Sequence, residues 1–210
     1  NSPRIHNKKQ SRLDSDEMKE LLTDVITGDA LDDNKKPYAR RSNMRDTAII
    51  ALLGGTGIRV SELVGIDLND IDWEHNCIRI IRKGGNEDIV YFGDELHRYL
   101  EDYINYEREP GDDKEKALFV ASRKDKGRLT VRSVERIVSK YGTATIPSKH
   151  LSPHSLRRTF GTNYYEETSD LYAVADALGH KNIQVTKDHY ADISERKKQQ
   201  VKEFSDKLLK

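Results

Sequence analysis

Apolar positions along this chain fall mostly at helical spacing, with one interval of strand-like character. Asp14 stands three residues before Glu17, the pattern of a capping box, and Leu21, Leu22, Val25 and Ile26 follow on one helical face. Beyond a loop around Pro37, Ser42 is placed to cap a second helix through 47–53, with Gly54-Gly55 as its predicted end. A short helical turn is expected over 59–64. Residues 77–82 and 88–92 are rich in isoleucine, valine and aromatics, and Lys83-Gly84-Gly85-Asn86 lies between them, which predicts a β-hairpin.

Asp94 is read as the cap of a helix reaching about Arg108, stopped by Pro110-Gly111. A short strand is expected over 117–121. Thr130 caps a helix over 131–141 whose buried stripe is Val131, Val134, Ile137 and Val138. Ser152-Pro153 pairs an N-cap with proline at the first helical position and opens a helix through Arg157 to Glu166. Ser169 is expected to start another helix, ended by Gly179. Asn182 caps a last short helix reaching Tyr190, and Ile193, Val201, Phe204 and Leu208 give the tail a helical stripe. The fold class predicted is α+β, mainly α-helical, with a small antiparallel β-sheet.

Composition narrows the function classes. The chain has 210 residues, enough for one domain with tails and a core that needs no staple. Lysine plus arginine number 36 and aspartate plus glutamate 36, so the formal net charge is zero. Binding nucleic acid by sheer net charge is excluded; binding through a segregated basic face is not. Cys77 is the one cysteine, which rules out an intramolecular disulfide and a multi-cysteine zinc site. No apolar window approaches a membrane span, and no targeting segment opens the sequence, so a soluble, cytoplasmic chain without a membrane partner is expected. Residues 1–12 are polar and basic and read as a linker arm.

The chemistry concentrates between Ser152 and Tyr190. His154 and Arg157, three apart, share one face of a helix. His180 follows a glycine stop, and Tyr190 lies ten residues further on. Upstream, Arg59 stands just behind a glycine-broken turn, with Glu62 three residues on, and Lys83 stands at the hairpin tip. Two arginines, two histidines, a lysine and a tyrosine suit a phosphodiester. Guanidinium forks bind non-bridging phosphate oxygens and keep their charge. A phenol can attack phosphorus and become a covalent phosphotyrosine, but its ordinary pKa of about 10 demands help from cations or a base.

These residues also carry a family resemblance. LLGGTGIRVSELVGID (52–67), RKGGNEDIVYF (82–92), SPHSLRRTFGTNYYEE (152–167) and DALGHKNIQVTKDHYAD (176–192) resemble the tyrosine recombinase, or phage-type integrase, family, in the family's order, over residues 13–192. The resemblance implies a tyrosine recombinase catalytic domain over 13–192. Arg59 and Arg157 would then clamp the scissile phosphate, and Lys83 would protonate the 5′-hydroxyl leaving group. His154 would assist proton transfer with the nucleophile, His180 would hydrogen-bond the phosphate, and Tyr190 would form a 3′-phosphotyrosyl link. Glu62 matches an acidic position that supports the site. No metal, ATP or other cofactor is implied. The implied partners are double-stranded DNA, further copies of the chain (a tetramer in the synapse) and an accessory DNA-bending protein. The implied setting is the nucleoid of a prokaryote, phage or mobile element. The twelve leading residues leave no room for the N-terminal DNA clamp usual in the family, so a chain without one is expected.

Ordinary alternatives stand beside each reading. Arg59 alone fits a surface arginine, His154 and His180 fit helix-end residues, and Tyr190 fits a half-buried aromatic. Gly54-Gly55-Thr56-Gly57 lacks the lysine–serine end of a phosphate loop. Asp67, Asp70 and Asp72 read as turn and strand-edge residues, and His97 and Cys77 as structural. Arg123, Lys124, Lys126 and Arg128 form a basic loop that fits phosphate contact or plain solvation, and Lys149 and Arg158 extend it. The tail, 193–210, fits packing on its own domain or docking on a neighbouring protomer. Two rival functions share the residue set: a type IB topoisomerase-like relaxing enzyme, and a DNA-binding regulator without catalysis.

Overall fold

A computed structural model describes residues 12–39, 41–109, 116–121, 127–180 and 184. Helix α1, Ser15–Thr27, begins as its capping box predicts: Asp14 accepts the Asp16 and Glu17 N–H groups, and Glu17 accepts the Asp14 N–H at 2.9 Å. It is followed by a single turn, α2 (Lys36–Ala39), which the sequence pattern did not predict. Helix α3, Asn43–Thr56, differs from expectation at both ends. Ser42 sits at its N-cap but makes no side-chain cap bond; the Glu107 carboxylate instead accepts the Met44 and Arg45 N–H groups at 2.8 and 3.1 Å.

Gly54-Gly55 does not end α3. The helix runs through both glycines to Thr56 and stops at Gly57, whose φ of 67° is left-handed. Packing overrides the local signal here, because α3 is buried almost all round, from Arg45 to Leu53. Helix α4 follows as Val60–Gly65, then a 3₁₀ turn, Leu68–Asp70.

The sheet has three antiparallel strands in the order β1 (Ile71–Asp72), β2 (Cys77–Ile81) and β3 (Glu87–Tyr91). The hairpin register pairs Cys77 with Tyr91 and Ile81 with Glu87, and the short β1 is an addition to the predicted pair. Helix α5, Asp94–Asp102, has Gly93 rather than Asp94 at its N-cap and widens into a π-helical turn, Tyr103–Glu107. Residues 117–121 form no ladder; they make two isolated bridges, Asp67–Ala117 and Val120–Arg128, because their two ends meet different segments.

Helix α6, Val131–Thr145, is capped by Thr130 as expected and extends four residues past Tyr141. Helix α7 is Pro153–Thr168. Helix α8, Leu171–Ala177, is capped by Asp170, not Ser169, whose φ of 59° belongs to the turn before it.

The chain divides into two compact units, Asn1–Phe160 and Gly161–Lys210, with the division inside α7. The core of the first unit joins α1, α3, the sheet, α5 and α6 through residues such as Leu21, Ile49, Leu52, Ile78, Leu100, Phe119, Val138 and Leu156. In the second, Tyr165, Val174 and Leu178 are buried. Among the described residues no helix is long and apolar enough to cross a membrane. The helix expected up to Tyr190, the tail 193–210, the arm before Arg12, and Arg123, Lys124 and Lys126 lie outside the described residues.

Candidate active site

The Gly57–Glu62 segment is the centre of the site. Gly57 ends α3, its N–H bonded to the Leu53 carbonyl at 3.1 Å, which fixes where the chain turns towards Arg59. Arg59 is the N-cap of α4. The Glu62 carboxylate, on the first turn of α4, accepts the Arg59 backbone N–H through Oε2 at 2.7 Å and the guanidinium Nη1 through Oε1 at 2.8 Å. One carboxylate therefore fixes both the backbone and the side chain of Arg59. Glu62 is 4% exposed, whereas the Arg59 side chain remains 34% exposed, so the guanidinium is held but open.

Arg157 is brought to the same segment from helix α7. Its Nη1 donates to the Gly57 carbonyl at 2.5 Å, and the residue is buried. The start of α7 is built to hold it there. Ser152 and Ser155 bond reciprocally, each side-chain oxygen accepting the other's backbone N–H, at 2.7 and 3.2 Å. Thr159 accepts the Leu13 N–H at 2.9 Å and fastens the helix to the beginning of α1. His154 lies one position after Pro153, one turn before Arg157, and is exposed.

Lys83 is exposed at the tip of the β2–β3 hairpin. Gly84 and Gly85 both take positive φ, 94° and 82°, which lets the tip turn within four residues. Beneath it lies a residue the sequence reading did not single out. Arg82 is 8% exposed, and it donates Nη1 to Glu62 at 3.1 Å and Nε to Asp88 at 2.8 Å. A signal was present: alternation along β2 puts Arg82 on the inward side with Ile78 and Ile80, where a charge needs a partner.

In the second unit, α8 ends in a paired-carbonyl motif. Gly179, at φ 61°, donates to Asp176, and the His180 N–H donates to the Ala175 carbonyl at 2.8 Å. His180 therefore directly follows the glycine stop, as expected. Tyr190 lies outside the described residues.

The remaining candidates sort by their contacts. Arg128 donates to the Val64 and Ile66 carbonyls and pairs with Asp67. Lys149 pairs with Glu17 and donates to the Arg12 carbonyl at 2.8 Å. Both serve contacts inside the fold. Arg158 is half-buried on α7. Asp67 and Asp70 build the 3₁₀ turn, and Asp72 accepts the Glu74 and His75 N–H groups. His97 bonds Asn76 at 2.6 Å and meets Trp73 edge-on, and burial pushes the Cys77 thiol above its ordinary value. Among the described residues no cluster of three or more His, Cys, Asp or Glu could hold a metal ion.

The geometry thus gathers two fixed guanidinium groups around one short loop and ties a lysine-bearing hairpin to the same buried carboxylate. Such a set can bind a phosphate and deliver a proton beside it. Comparison with known proteins agrees in extent and in fold. The chain is 37% identical over 189 residues to the tyrosine recombinase XerC of Corynebacterium glutamicum, covering 85% of this chain and 60% of that protein. It is 35% identical to XerC of Vibrio cholerae over 185 residues, covering 88% and 55%. It therefore spans somewhat over half the length of these relatives. The crystal structure of XerA recombinase superposes with a TM-score of 0.70 at 27% identity, over 85% of this chain and 59% of that one. XerH recombinase, in its post-cleavage complex with a palindromic difH substrate, shares the fold with a TM-score of 0.73 at 22% identity, over 95% and 55%. The phage integrase family profile matches residues 11–197, from just before α1 to beyond Tyr190, and the chain belongs to that family.

Proposed function

We propose that this chain is the catalytic domain of a site-specific DNA recombinase that cuts and rejoins duplex DNA through Tyr190. The observation that carries the reading is the convergence at Gly57–Glu62: Arg157 bonded to Gly57, Arg59 to Glu62, and the Lys83 hairpin to Glu62 through Arg82. The relatives support it, being named tyrosine recombinases, and the fold is shared with a recombinase bound to its DNA substrate.

In the proposed reaction Arg59 and Arg157 hold the two non-bridging oxygens of the scissile phosphate. Charge that develops on the pentavalent phosphorus meets fixed cations already in place. The Tyr190 phenol oxygen attacks phosphorus while His154 assists transfer of its proton, and His180 hydrogen-bonds the phosphate. As the P–O5′ bond breaks, the Lys83 ammonium gives a proton to the departing 5′ oxygen. The product is a 3′-phosphotyrosyl link that keeps the energy of the phosphodiester. A 5′-hydroxyl from a second strand reverses the steps and joins the new partner. Copies of the chain assemble on DNA for this exchange, as a tetramer with an accessory bending protein, and 193–210 docks in trans. Arg158 and the loop cations Arg123, Lys124 and Lys126 add contacts to phosphates.

Covalent trapping tests the reading. The protein is incubated in EDTA with fragmented DNA of its source, quenched in detergent, and the protein-linked ends are sequenced. The expected result is adducts at one sequence, undiminished by EDTA and lost in Tyr190→Phe. Adducts scattered over many sequences would replace this reading with a relaxing enzyme. Sequence-specific binding without any adduct would replace it with a regulator.

A further inference from the structure

We propose that Arg82 is the positioning residue for Lys83, holding the proton donor against the arginine clamp; this rests on the recombinase reading above. The observations are local. Lys83 stands on a tip of two left-handed glycines, which by themselves leave a long flexible side chain poorly placed. Arg82 is the last residue before that tip, and its backbone closes the tip: its N–H donates to Asn86 at 2.8 Å and its carbonyl accepts from Gly85 at 3.0 Å. Its side chain reaches the other way, into the buried Glu62 carboxylate, and binds Asp88 on the opposite strand. Glu62 in turn holds Arg59. Residue 82 is thus the joint between the hairpin tip and the phosphate clamp.

Stability alone gives a poor reason for an arginine here. Burying a guanidinium costs desolvation, and an apolar side chain on the same inward face of β2 would hold the hairpin about as well. What a planar fork adds is direction: two carboxylates on different elements fix the plane of the guanidinium, and through it the start of the tip. Lysine cannot do this, because its ammonium is a point charge on a flexible stem.

The reaction supplies a readout specific to this role. A donor of protons to O5′ matters only while the leaving group is an alkoxide. Sulfur at that bridging position leaves readily as a thiolate, whose conjugate acid has a pKa of about 8.5, so the proton becomes dispensable. Cleavage by the full chain is timed on a duplex carrying the sequence recovered by trapping, with oxygen or with sulfur at the bridging 5′ position. Lys83→Ala is expected to lose roughly 10²-fold or more on oxygen, the usual worth of a general acid, and to recover to within a few-fold on sulfur. Arg82→Ala is expected to lose at least tenfold on oxygen and to recover on sulfur likewise, with Arg82→Lys close to it. Asp88→Asn removes only the outer arm of the joint, at a carboxylate 41% exposed, and is expected to give a smaller loss with the same recovery.

Arg82→Ala or Asp88→Asn staying slow on sulfur while Lys83→Ala recovers would overturn the proposal and place Arg82 with the clamp. Should Arg82→Ala fail to fold, Asp88→Asn carries the same comparison. A Lys83→Ala protein slow on both duplexes would overturn the role of Lys83 itself, and wild type idle on both would overturn the recombinase reading. Which protein fails to recover tells these failures apart.

Discussion

Single carboxylates hold this molecule together at the points where helices begin. Glu62 fixes the start of α4 and Glu107 the start of α3, and Glu107 does so from 62 residues away. Burial pushes the Glu107 carboxyl above the usual carboxylate range, against the pull of the Met44 and Arg45 amides it binds. A carboxyl that is harder to ionise folded than unfolded costs stability as it ionises, so its contribution falls as pH rises from the ordinary glutamate range through the raised folded value. Glu107→Gln removes that titration and loses one of two cap bonds, at a cost of about 1 kcal/mol. The variant should be the less stable protein at pH 4 and gain on wild type as pH rises to 7, read as the difference in melting temperature. A difference that stays constant or widens with pH would contradict the assignment. Both carboxylates also show how far single residues are legible. Glu62 acts three positions from Arg59, within the first turn of one short helix, and the family resemblance singles it out. Glu107 reaches the start of α3 from 62 residues away and Arg82 reaches Glu62 across 20, and although alternation along β2 shows that Arg82 needs a partner, no local pattern names Glu62 or the α3 amides.

Elements here are decided by packing as much as by local signals. Glycine is the plainest case, since the sequence pattern ends α3 at Gly54-Gly55 and the fold carries the helix through both. Gly142, buried in α6, faces Leu151, and a methyl group there would lie 2.6 Å from the Leu151 Cβ. Gly55, exposed in α3, has nothing within 4 Å. Gly55→Ala should therefore raise the unfolding free energy by about 0.5–1 kcal/mol, the helix-propensity gain alone. Gly142→Ala makes the same gain but overpacks, at about 1–3 kcal/mol, and should come out destabilised by roughly 1 kcal/mol, some 3 °C in melting temperature. Leu151 lies three residues before His154, so Gly142→Ala should also slow cleavage while Gly55→Ala leaves it unchanged. Equal effects of the two on stability would refute this. The same contrast explains what the sequence pattern could reach. The α1 capping box, the hairpin and the starts of α6 and α7 are set by residues a few positions apart, and their prediction agreed with the structure. The extent of α3, the π-helical turn and the isolated bridges of 117–121 depend on what lies across the core, which periodicity does not carry.

For the whole molecule the balance of charge is the governing quantity. With 36 basic and 36 acidic residues, the chain has no net charge to draw it to DNA, so the proposed binding rests on cations placed where a phosphate can reach them. Many are engaged internally: Arg45 and Lys140 with Asp46, Arg79 with Asp70 and Glu87, Arg128 with Asp67, Lys149 with Glu17. The proposed phosphate contacts are Arg59, Arg157, Lys83, Arg158 and the loop cations. If about six phosphates are neutralised, affinity should fall about 10³-fold between 50 and 200 mM salt, along a straight line in log–log form. Removing a contacting cation should reduce that slope by about 1. Arg158→Ala and Lys124→Ala are expected to do so with little change in melting temperature. Arg128→Ala and Lys149→Ala are expected to do the reverse, lowering the melting temperature and leaving the slope alone, because each is tied both to a carboxylate and to main-chain carbonyls, which a phosphate would have to displace together. A salt response that is flat for wild type would remove the phosphate from the account altogether. A slope reduced by Arg128→Ala would mean that its pair with Asp67 opens on DNA, and that the fold exchanges an internal partner for a phosphate.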